Sequence, residues 1–178
     1  MRHGYGARGL AYLMALGVAA PILAADALPC SGFTWDVAHE RALYAGVATQ
    51  VTAGSEPATA PALVPERLYA LQLQPLARVR FVTAPGKSKP GEDTYAGVAA
   101  LQIATPGTYF IAADAPFWID VVADGGLVTA KAFQGAHDCN APHKIVAFDF
   151  PVARQFMLQF SGAASAEVRV SVTAAGQR

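Results

Sequence analysis

The residues with the most chemical capacity lie close together, in His137-Asp138-Cys139-Asn140-Ala141-Pro142-His143-Lys144. Imidazoles and a carboxylate are ligand types that hold zinc or copper, so His137, Asp138 and His143 form a candidate metal site. The spacing matches no fixed-spacing metal motif. The plainer expectation is a loop anchored by Cys139, with incidental polar residues and no cofactor. Trp118 and Asp120 are the candidate ligand-binding pair. Side chains alternate across a strand, so in Phe117-Trp118-Ile119-Asp120-Val121 residues 118 and 120 share one face and the apolar 117, 119 and 121 the other. Asp120 marks the 118 face as the wetter one, where an indole offers an apolar surface for a sugar ring. Trp35, the other tryptophan, is expected in the core. Asp120, Asp124 and Asp138 are oxygen donors of the type that binds calcium. The plainer reading gives Asp124 to a turn and leaves the other two solvated.

No catalytic residue is assigned. There is no G-x-S-x-G elbow, and His39, His137 and His143 make no triad that sequence supports. Carboxylates paired in space for hydrolysis would leave no mark in the spacing. A small secreted hydrolase and a periplasmic metal-binding protein using residues 137–143 are therefore kept as alternatives to a non-enzymatic binding protein.

The segments that must position these groups follow a three-part N-terminus. Arg2 and Arg8 precede an uncharged apolar run, Gly9–Leu23, and Ala25 and Ala27 fit a signal-peptidase site. Residues 1–27 are expected to be a signal peptide and 28–178 the mature domain, working in the periplasm or secreted. The apolar run falls short of the ~20 residues of a spanning helix, which favours a signal peptide over an uncleaved anchor, and no membrane span is expected in the mature chain. Cys30 lacks the leucine at minus three that lipid attachment favours. Cys30 and Cys139, the two cysteines, are expected to form a disulfide in an oxidising compartment.

The sequence has 53% hydrophobic and 15% charged residues, which supports a packed core rather than disorder. Thirteen basic residues balance thirteen acidic ones, so there is no basic stripe to neutralise phosphates and nucleic acid is not an expected partner. Ten segments read as strands. Phe156, Leu158 and Phe160 alternate with Gln155 and Gln159, Val168, Val170 and Val172 with Glu167, Arg169 and Ser171, and Val79 and Phe81 with Arg78 and Arg80. Asp124-Gly125 between two apolar runs signals a hairpin, the second run reading Leu127–Phe133. Thr108–Ala113 and Lys144–Phe150 are further strands, and Val37–Tyr44 is the one helix expected. Gly54–Pro65 and Pro85–Asp93 read as surface loops, the first a candidate internal linker. Strands at this spacing predict an all-β, antiparallel β-sandwich or jelly-roll-like single domain.

Cys-Ser-Gly-Phe-x-Trp from Cys30 to Trp35 and Trp-Ile-Asp-Val-Val from Trp118 to Val122 resemble segments of an uncharacterised family of secreted proteobacterial proteins. That likeness spans most of the mature chain and implies no established activity. Gly107-Thr108-Tyr109 and the late alternating strands are distantly similar to the pre-peptidase C-terminal type of β-sandwich, which implies an accessory or binding module. The expected function is a non-enzymatic binding or accessory protein of the cell envelope, with an envelope protein or a glycan as partner.

Overall fold

A computed structural model describes Met1 and residues 32–87, 91 and 93–177. The expected signal peptide and Cys30 lie outside the described residues. The chain forms an all-β sandwich of two mixed sheets, with one short α-helix among the described residues, α1 (Ala38–Tyr44). The strands are β1 (Thr49–Thr52), β2 (Ala62–Leu63), β3 (Arg67–Gln72), β4 (Gln74–Pro75), β5 (Tyr95–Ile103), β6 (Gly107–Ala113), β7 (Trp118–Ala123), β8 (Gly126–Val128), β9 (Ala132–Gly135), β10 (Lys144–Phe150), β11 (Arg154–Ala163) and β12 (Glu167–Ala174). One sheet runs β1-β3-β12-β6-β10-β9; the other runs β2-β5-β11-β7-β8, with β4 also paired to β5. Pairing is antiparallel except for β1 with β3 and β2 with β5.

Period-two patterning builds the core. Phe156, Leu158 and Phe160 of β11 meet Val168, Val170 and Val172 of β12 and Val146, Phe148 and Phe150 of β10 between the layers. Burial of such side chains stabilises by roughly 1.5–3 kcal/mol each, which outweighs local propensity in fixing the register. At Asp124 and Gly125 φ is +52° and +77°, and Ala123 pairs with Gly126 across them. Positive φ at both central residues is the geometry of a two-residue hairpin whose twist matches its strands.

The outer faces are less wet than the alternation implies. Val37, just before α1, and Tyr44, its last residue, pack with Leu68, Ala112 and Ile145 on the outside of the first sheet. Beneath the helix the buried Thr173 hydroxyl donates to Glu40 Oε1 at 2.6 Å. Trp35 is half-buried in this outer layer, edge-on to Phe110 at 5.4 Å, rather than in the main core. On the second sheet, Gln159 is fully buried instead of solvated. Its carbonyl oxygen accepts the Val82 and Thr83 N–H groups and its amide donates to the Thr83 carbonyl.

That arrangement explains why Arg78–Val82 is not a strand. Leu76–Arg78 is a 3-10 turn, and the following segment is held by side chains and loops, Arg80 N–H bonding to the Ser55 carbonyl. The expected Leu127–Phe133 strand is split because residues 129–131 carry the chain from one sheet to the other. The 54–65 segment is not a spacer. Gly54 bridges Val98, and Leu63 of β2 is fully buried against β5.

Candidate functional site

Four strand ends meet at one end of the sandwich, where β7 and β11 of one sheet come up against β9 and β10 of the other. Ser161 of β11 pairs with Trp118, and Lys144 of β10 pairs with Gly135. Between them lies an open groove of about 610 Å³, lined among others by Lys87, Trp118, Phe133, His137, His143 and Lys144. A volume of that order suits a small ligand or a short segment of a longer one.

Trp118 lies on the outer face of β7 and is 39% exposed, as its parity predicts. Asp120 shares that face but is buried, not solvated. The Trp118 indole Nε1–H donates to Asp120 Oδ1 at 2.8 Å, and the Gly86 N–H donates to Oδ2 at 3.0 Å. The two N–H groups that this carboxylate accepts offset part of the cost of burying it. Here it fixes the indole's orientation and ties down the 82–87 segment. Lys87 Nζ stands 5.7 Å from the Trp118 ring centroid. An exposed cation–π contact of this kind stabilises by about 0.5–1 kcal/mol, little enough for a ligand to displace.

Lys144 has the inward parity of Val146, Phe148 and Phe150, so its side chain enters the space between the layers. The ammonium donates to the Phe117 carbonyl and sits 5.4 Å from the Phe117 ring centroid. Among the described residues it has no carboxylate in ion-pair contact. Burial, followed by repulsion from Lys87, lowers its pKa from 10.5 to about 8, against a smaller opposing pull from Asp120.

The structure places the His137 and His143 rings side by side, with centroids 6.0 Å apart. His143 Nδ1–H donates to the Cys139 carbonyl at 3.0 Å, which leaves Nε2 as the ring's lone-pair nitrogen when neutral. Asp138 is not brought into this pair, and His39 is engaged elsewhere with Glu66 Oε2 at 2.6 Å. Among the described residues no three His, Cys, Asp or Glu side chains converge on a common point. The ammonium groups of Lys87 and Lys144 line the same groove as the two histidines, and their charge favours an anion there. Cys139 is buried and engaged, while Cys30 falls outside the described residues.

Sequence reasoning found Trp118, Asp120 and both histidines but missed Lys87, Phe133 and Lys144. A lysine on the inward parity of Lys144–Phe150 was a readable signal. Phe133, 78% exposed on an outer strand, and Lys87, in an aperiodic loop, carried none. No protein-family model, curated protein or solved structure matches the chain.

Proposed function

We propose that this chain is an exported, non-enzymatic binding module of the cell envelope that takes a glycan in the groove at the end of the sandwich. The observation that carries the reading is Trp118: an exposed indole held in one orientation by Asp120 at the mouth of a 610 Å³ groove. Such a ring offers stacking area without an ordering cost at the moment of binding. The signal-like N-terminus supports export to the periplasm or beyond, and the likeness to secreted β-sandwich modules supports an accessory role. A Cys30–Cys139 disulfide would then tie the mature N-terminus to the loop beside the groove. A glycan array with native protein and Trp118→Ala tests the reading. Binding by the native protein that disappears in the variant is expected. Unchanged binding in the variant removes Trp118 from the site, and an array on which the native protein is silent sinks the glycan reading.

A further inference from the structure

Resting on that groove, we infer that its ligand is an acidic saccharide: a sugar ring set against Trp118, with a ring carboxylate received by Lys144 and Lys87. Two lysines, Lys87 and Lys144, line one groove together with His137 and His143, in a chain whose 13 lysines and arginines balance 13 acids. Asp120, an acid near the groove, already accepts hydrogen bonds from the Trp118 indole and the Gly86 amide. It is thus committed to holding the wall together.

Lys144 is the informative member. An ammonium has three N–H donors, and the Phe117 carbonyl accepts one of them. The group is largely withdrawn from water, rests against the Phe117 ring and is repelled by Lys87. Two like charges at a groove wall raise each other's energy, and an anion entering between them removes that cost. Lys87 in turn, among the described residues, holds the ring of Trp118. A sugar that takes over the ring face and offers the ammonium a carboxylate replaces a weak contact with a charge-assisted hydrogen bond. A neutral sugar would satisfy Trp118 alone; a small inorganic anion would satisfy the lysines alone. A ring bearing a carboxylate satisfies both.

The test is calorimetric titration with tetragalacturonic acid and with its fully methyl-esterified form, at low ionic strength near pH 7. The ester keeps the rings and removes the charge. The acid is expected to bind at least about tenfold more tightly than the ester, the scale of one charge-assisted hydrogen bond. Lys144→Gln should remove most of that difference. Lys87→Gln, at an exposed position where folding is not at stake, should narrow it severalfold. Equal binding of acid and ester overturns the inference but leaves the groove reading intact. So does preference for the acid that both lysine variants retain, since the charge is then received elsewhere. If neither compound binds, the inference falls, and the glycan array decides separately whether the groove reading falls with it.

Discussion

The Trp118 indole N–H donates to Asp120 Oδ1 at 2.8 Å, joining two residues that stand two apart on one face of β7. The bond couples an exposed aromatic to a buried carboxylate, so the orientation of one depends on the acceptor capacity of the other.

Asp120→Ala should therefore be felt twice. The Gly86 amide and the Trp118 indole both lose their acceptor, at a cost of about 1–3 kcal/mol. Urea denaturation should show a lower midpoint, and Trp118 emission should shift in a Trp35→Phe background. An unchanged midpoint and spectrum would mean that the carboxylate does not hold the indole.

Lys144 predicts a stability profile of definite sign. With its folded pKa near 8 and an ordinary value of 10.5, the folded amine is neutral between those pH values while the unfolded one remains charged. The unfolded chain binds more protons there, so stability rises as pH increases from about 8 to 10.5. The gain is on the order of 2 kcal/mol, after allowance for the part of the side chain still in water. Lys144→Met should flatten this rise, and Lys87→Gln, which removes a repelling neighbour, should move it to higher pH. Anion binding should run the opposite way and weaken as pH passes 8. Besides Lys87, the groups facing Lys144 among the described residues are Asp120, His137 and His143, so the Lys144→Met control is needed to isolate its share. Denaturant midpoints across pH 7 to 10.5 check the sign.

The β7–β8 hairpin depends on backbone that side chains rarely adopt. Gly125→Val at φ +77° should cost about 1–3 kcal/mol, whereas Asp124→Asn, a residue tolerant of this region, should keep the turn. Asp124 is fully exposed and its pKa is lowered by the two-pronged Arg154 guanidinium. That pairing should therefore add little to the denaturation midpoint.

Titration of denatured, unreduced protein should find no free thiol. Cys139→Ser should lower stability by up to about 4–5 kcal/mol, the chain-entropy value for a closed loop of roughly 110 residues. Two titratable sulfhydryls would refute the expected pairing.

The interior was the most legible part of the chain. Val168, Val170 and Val172 alternate with polar neighbours, and the structure turns all three into the core. The outer faces were misjudged because periodicity reports which residues lie on the same side, not what covers that side. Gln159 and Asp120 carry the polar signature of a solvated face, yet the 82–87 segment lies over them and its N–H groups bond to both. The same limit applies to Arg78–Val82, which alternates like a strand although its neighbours bind it through side chains. The groove escaped detection for a different reason: it gathers Lys87, Trp118, Phe133 and Lys144 from segments far apart in sequence, which only the crossing between sheets brings together.

The outermost strands along both sheet orders are brief. β1 and β9 have four residues each, β8 three and β2 two, against nine in β5 and ten in β11. Each margin thus exposes few unpaired amides and carbonyls, and Lys131 adds a charge just before β9. A second copy finds too short a template to zip onto. Phe133, 78% exposed on β9, thus stands at a margin that offers a neighbouring strand little to pair with.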